Sequence, residues 1–191
     1  LEIMKKVPVE ISARHLHISK AHLEKLFGKG YQLKPLKELS QPGEFAASEK
    51  IDVIGPKGML SIRIVGPVRK QTQIELALTD ARILGVKPEF RISGDLKDTP
   101  GEVTLKGSDG NVKLDSGVII AKRHLHISKT DAKKWKIKNG QKVSAKVAGP
   151  RSIIFLDIIA RVGDFTTAIH LDTDEANAAG LLTCSLAELD V

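Results

Sequence analysis

A seven-residue string, Arg-His-Leu-His-Ile-Ser-Lys, occurs twice without change, at Arg14–Lys20 and at Arg123–Lys129. Two identical strings so far apart mark an internal duplication. A chain of 191 residues can build one substantial core or two small ones, and the repeat favours two similar units, each near the lower size limit for an independent domain. Four of the six histidines lie in these strings. Successive side chains of a strand turn to opposite faces, so His15 and His17, like His124 and His126, project together from one face of an extended segment. That is metal-ligand spacing, in duplicate.

The duplication extends beyond the strings. Val9–Ala13 and Val118–Lys122 precede them, and their β-branched content marks strands that the histidine pairs end or continue. Ser19 and Ser128 follow as helix N-caps, with Asp131 placed as in a capping box. Val53-Ile-Gly55-Pro56-Lys57 is echoed by Val147-Ala-Gly149-Pro150-Arg151, and each Gly-Pro turn predicts a hairpin, with return strands Met59–Val65 and Ser152–Val162. A third echo sets Thr72-Gln-Ile74-Glu75-Leu76 against Thr167-Ala-Ile169-His170-Leu171, which makes Glu75 and His170 equivalent. Helical turns follow, Thr79–Ala81 ending at Gly85 and Thr173–Ala176 ending at Gly180. Between the halves, Glu102–Lys106 and Val112–Asp115 form a hairpin around Ser108–Asn111. Strands dominate, so the expected fold is mainly β: two β-barrel domains related by internal duplication and capped by short helices.

Two histidines alone hold a divalent metal weakly, whereas a catalytic site has three protein ligands and an open position. Glu75 and His170 are competent third ligands, and each alternates with apolar neighbours on a half-buried strand, where an ionisable group needs a partner. The expected triads are His15, His17 and Glu75, and His124, His126 and His170; symmetry argues for this grouping, although a ligand could cross between the halves. Structural zinc sites fill all four positions, mostly with Cys, so triads of this kind point to catalysis. Arg69, in Gly66-Pro67-Val68-Arg69 ahead of Glu75, is suited to bidentate anion binding. Gln73 stands two residues before Glu75 and shares its face. Arg69 and Gln73 are the candidate catalytic residues. Arg14 and Arg123 point away from the histidines in a regular strand, and His22, whose counterpart is Asp131, reads as a surface residue.

The 30 Lys and Arg against 23 Asp and Glu leave a net charge of +7, which favours anionic partners. Aromatic residues make up only 4%, too few for a base-stacking platform, so a phosphate-rich small molecule is expected and no nucleic acid. No apolar run reaches the roughly 18 to 20 residues of a membrane span, and Leu1–Lys6 lacks a signal-peptide core, so the reading is a cytoplasmic protein with no membrane partner. The one cysteine, Cys184, stands among Leu181, Leu182 and Leu186 and reads as a buried structural thiol.

With these motifs the chain resembles the PduL-type phosphate acyltransferases, the phosphate propanoyltransferases of bacterial microcompartments, propanediol degradation and related acetate-forming metabolism. The carrying residues are the paired Arg-His-Leu-His-Ile-Ser strings, Gly66-Pro67-Val68-Arg69 with Gln71–Glu75, and the run from His170 to Gly180, over about Val7 to Leu181. The resemblance implies two zinc ions per chain, one held by His15, His17 and Glu75 and meeting the sulfur of coenzyme A, the other held by His124, His126 and His170. It implies that Arg69 takes phosphate, and that Ser12, Lys37, Arg63, His170 and Asn177 contact CoA. The implied reaction interconverts propanoyl-CoA or acetyl-CoA plus phosphate with an acyl phosphate plus CoA. It also implies a homodimer, an association with microcompartments, and discontinuous domains, 1–13 plus 122–191 and 14–121, the second carrying the inserted hairpin. Many members carry an N-terminal encapsulation segment; here six residues precede Val7, and Leu1-Glu2 has the form of a cloning remnant. The competing readings are a zinc-dependent thioester or phosphoester hydrolase, a cupin-type metal enzyme, and a polyanion-binding module without catalysis.

Overall fold

The protein is described by a computed structural model covering residues 5–190; Leu1-Glu2 lies outside the described residues. The chain divides into two compact units: a continuous one, Arg14–Ala121, and a split one formed by Leu1–Ala13 with Lys122–Val191. Strands dominate both, and among the described residues no helix is long and apolar enough to cross a membrane.

The continuous unit contains β2 (His15–His17), α1 (Lys20–Phe27), β3 (Pro35–Glu38), β4 (Phe45–Ile54), β5 (Met59–Gly66), β6 (Gln73–Glu75) and α2 (Leu78–Leu84), then β7 (Glu89–Arg91), β8 (Val103–Lys106), β9 (Asn111–Leu114) and β10 (Val118–Ala121). The split unit contains β1 (Lys5–Ser12), β11 (His124–Ser128), α3 (Lys129–Trp135), β12 (Lys142–Val147), β13 (Ile153–Gly163), β14 (Ala168–Asp172), α4 (Thr173–Ala178) and β15 (Ser185–Asp190). Both Gly-Pro turns join antiparallel strands, β4 to β5 and β12 to β13. Ser19 and Ser128 cap α1 and α3, accepting from the N–H of His22 and of Asp131 at 3.3 and 3.0 Å. Asp131 does not turn back on its cap as a capping box requires; its carboxylate accepts from the Thr167 hydroxyl.

In the split unit six strands close into a barrel in the order β1-β14-β11-β13-β12-β15, with β15 returning to β1. The continuous unit repeats much of this order, β10-β6-β2-β5-β4-β8, within a nine-stranded sheet that runs from β7 to β9, with β3 also on β4. Closing that sheet in the same way would pair β8 with β10. Instead the hairpin partner β9 takes the free edge of β8 and β7 takes that of β10. Only the split unit has a closed barrel among the described residues, so the expectation of two barrels is met there and the other unit differs by these two edge strands.

The strand before each histidine string does not continue into it. β1 pairs with β14 and β15 in the split unit, whereas β2 lies in the continuous one; β10 pairs with β6 and β7, whereas β11 lies in the split one. The breaks fall at Ala13–Arg14 and Lys122–Arg123, so the two units exchange equivalent strands. Each unit has its own apolar core. Leu16, between His15 and His17, is fully buried in one, and its counterpart Leu125 in the other. Burial of these leucines holds the histidines on the opposite face of the strand.

Candidate metal centres and anion site

In both units the histidine strand lies between a parallel and an antiparallel neighbour. β2 pairs with β6 so that His15 stands opposite Glu75; β11 pairs with β14 so that His124 stands opposite His170. The parallel neighbours are β5 and β13. Cross-strand positions of this kind bring Cβ atoms to about 4.5–5.5 Å. The result is two clusters, His15 with His17 and Glu75, and His124 with His126 and His170, in each of which one potential ligand atom per residue lies within 4.8 Å of the others. The groupings expected from symmetry are those the strand registers assemble.

The donors suit a borderline cation such as zinc. The Nδ1 of His17 lies 3.1 Å from the Val65 carbonyl and that of His124 lies 2.9 Å from the Lys122 carbonyl. A carbonyl only accepts, so each Nδ1 carries the hydrogen and each Nε2 keeps its lone pair. Burial pushes the His17 pKa down to about 3, helped by the positive charges of His15 and Arg69 and opposed by Glu75 and the Val65 bond. His17 is therefore a neutral imidazole at neutral pH, the form a metal requires.

The Oε1 atom of Glu75 accepts from the Gln73 amide and from the Ser93 hydroxyl, the latter at 2.6 Å, while Oε2 lies 3.7 Å from His15 Nε2. The Gln73 carbonyl accepts from the Gly94 N–H at 2.9 Å. Gln73 shares the face of Glu75, as its two-residue spacing predicts, and its amide braces one carboxylate oxygen. In the split unit Phe165 stacks on His126 with ring centroids 4.3 Å apart. Ser93 and Phe165 carry no signal in sequence pattern, because both sit in loops and meet their partners by topology.

Arg69 is placed by its backbone: its N–H donates to the Ile18 carbonyl at 2.9 Å, beside the end of β2. Its guanidinium donates to Glu44 at 2.7 Å and is about one-third exposed. A guanidinium has five N–H donors, so this pairing leaves others for an anion. Of the residues expected to contact CoA, Lys37 is exposed on β3, and Arg63 on β5 donates to the Ala47 carbonyl at 2.6 Å; both are in the continuous unit. Ser12 at the end of β1, His170 on β14 and the exposed Asn177 on α4 belong to the split unit.

Each string's arginine ties it to the helix that follows the third ligand. Arg14 donates to Asp80 at 2.9 Å and Arg123 to Glu175 at 2.6 Å, and both acids occupy the third position of their helices and accept from the N-cap N–H. Two sequence readings are corrected here. His22 is half-buried, with its ring nitrogen 2.8 Å from the Thr72 hydroxyl, the place that Asp131 takes against Thr167. Cys184 is exposed, because residues 181–184 form a turn after α4 that leaves Leu182 94% exposed; neighbouring leucines signal burial only on a regular element.

The His17 shift predicts a pH dependence of stability for the metal-free protein. The folded pKa lies below the ordinary 6.5, so the unfolded chain binds the proton first. The contribution is complete above pH 6.5 and is lost as pH falls toward 3. Between pH 7 and 5 it costs about 2 kcal/mol, which urea unfolding resolves as the difference between wild type and His17→Gln.

The sequence model of the phosphate propanoyltransferase family matches residues 8–182. The phosphate propanoyltransferase of Leptotrichia buccalis is 51% identical over 174 residues, 90% of this chain and 82% of that protein. That of Thermotoga maritima is 48% identical over 191 residues, covering 97% and 90%, and that of Enterococcus faecalis 48% over 175 residues, covering 91% and 82%. With two centres of matching register, and relatives this similar over nearly its whole length, the chain belongs to the phosphate propanoyltransferase family.

Proposed function

We propose that the chain is a zinc-dependent phosphate acyltransferase that converts propanoyl-CoA or acetyl-CoA and phosphate, reversibly, to the acyl phosphate and CoA. The observation that carries this reading is the pair of largely buried triads on equivalent strands, with Arg69 anchored at the end of one of them. His15, His17 and Glu75 would hold one zinc ion, and His124, His126 and His170 a second. When bound, zinc supplies a Lewis acid and a high-affinity partner for thiolate sulfur.

The remaining work falls to the chain. Phosphorolysis joins a phosphate oxygen to the acyl carbon and breaks the C–S bond, with CoA leaving as the thiolate. Arg69 holds the phosphate dianion through paired N–H donors and fixes its approach, so that a bimolecular encounter becomes a positioned one. Gln73 and Ser93 fix the orientation of Glu75. Ser12, Lys37, Arg63, His170 and Asn177 are the proposed CoA contacts, and the net charge of +7 suits a ligand with several phosphates. No protein nucleophile is needed, and the exposed Cys184 is left out of the mechanism.

The proposal includes a discontinuous domain plan, 1–13 plus 122–191 against 14–121, with the units as diverged copies of one β-barrel. The shared registers, the Arg14–Asp80 and Arg123–Glu175 pairs and the matched Thr72 and Thr167 contacts support common descent. A homodimer and a cytoplasmic or microcompartment location rest on the family resemblance alone.

The test is product identity. Incubated with propanoyl-CoA, phosphate and hydroxylamine, the protein should form propanoyl hydroxamate in step with CoA release. Chelator treatment should abolish the reaction and added zinc should restore it. Free propanoate as the sole acyl product would establish the rival hydrolase, in which water takes the place of phosphate.

A further inference from the structure

The two triads differ in composition: one contains a carboxylate and the other only imidazoles. The strand beside each third ligand reverses this difference. In the continuous unit Ile119 on β10 is in register with Glu75; in the split unit Glu10 on β1 is in register with His170. Both pairings are parallel, so in-register side chains stand on the same face. Glu10 directs Oε2 to within 3.4 Å of His170 Nε2, and its side chain is only 24% exposed. Each unit therefore has one carboxylate at these two adjacent strand positions, carried by the third ligand in one unit and by its neighbour in the other.

A half-buried acid gains little from facing solvent and much from facing a cation, because the attraction strengthens as water is excluded. Three imidazoles leave the two charges of a divalent ion uncompensated, and a carboxylate beside one of them offsets this and fixes the ring. We infer that Glu10 is the acidic partner of the His124, His126 and His170 centre, a positioning residue that raises its affinity for a divalent cation through its contact with His170. The inference rests on the proposal that these three histidines hold such an ion. The exchange of strands between the units gives it a further consequence: the acid of this centre lies on the segment leading directly into His15 and His17.

The test confines binding to one centre. His15→Ala should leave a single zinc equivalent, whose affinity is measured by chelator competition. In that background Glu10→Gln should lower affinity about 10–100-fold and Glu10→Asp should recover part of the loss. Cobalt(II) placed in the same centre should show altered visible bands in Glu10→Gln. Glu10→Ile introduces the residue that β10 carries at the corresponding position, and its metal-free form should unfold at the wild-type temperature. One retained equivalent with affinity and cobalt spectrum indifferent to Glu10→Gln would overturn the inference and leave the two-centre proposal standing. No bound metal in the His15→Ala protein would overturn both.

Discussion

Arg69→Ala is expected to lower kcat/KM for phosphate by about 10²–10³-fold, the usual effect of removing a preorganised donor to a reacting anion. Both metal equivalents should remain, because Arg69 reaches the centre through its backbone bond to Ile18 and not as a ligand. Arg69→Lys should restore only part of the rate, since an ammonium provides the charge without the bidentate fork. Glu44 takes one N–H of the guanidinium and the remaining donors are the ones assigned to phosphate, so a rise in KM for phosphate should accompany the fall in kcat. Steady-state kinetics with phosphate varied at saturating acyl-CoA, together with elemental analysis, measure both. Full activity in Arg69→Ala would refute the assignment.

Glu75→Ala is expected to remove one of two metal equivalents and nearly all turnover. Glu75 is buried, is in register with His15 and is the single acid of its triad. Two histidines are a poor hold for a divalent ion. The bracing residues should matter less: Ser93→Ala and Gln73→Leu each remove one bond to Glu75 Oε1, and removing a partner of this kind costs about 10–100-fold in metal affinity. Elemental analysis of the dialysed variants orders them. Retention of both equivalents in Glu75→Ala would show that the pairing of the triads is wrong.

Sequence pattern alone carried the two triads, because strand period, the identical strings and the Thr-x-Ile echo are all local. The hairpins at Gly55-Pro56 and Gly149-Pro150 and the caps at Ser19 and Ser128 were legible for the same reason. What escaped was set by contacts between distant segments. Ser93 reaches Glu75 from a loop, Glu10 reaches His170 across exchanged strands, and Glu44 pairs with Arg69 from β4's leading turn. Local pattern cannot report such partners. His22 looked like a surface residue because its partner, Thr72, is remote in the chain. Cys184 looked buried because leucines surround it in sequence, yet that segment is a turn. The closure of a second barrel was expected from the repeat, but edge pairing by β7 and β9 lies outside the repeated motifs.

The central claim is that phosphate, and not water, accepts the acyl group. The rate of CoA release from propanoyl-CoA, followed as phosphate is varied down to none with the zinc-loaded protein, tests it most directly. The account predicts a saturable curve that passes through the origin. CoA release that continues at the same rate without phosphate would contradict it.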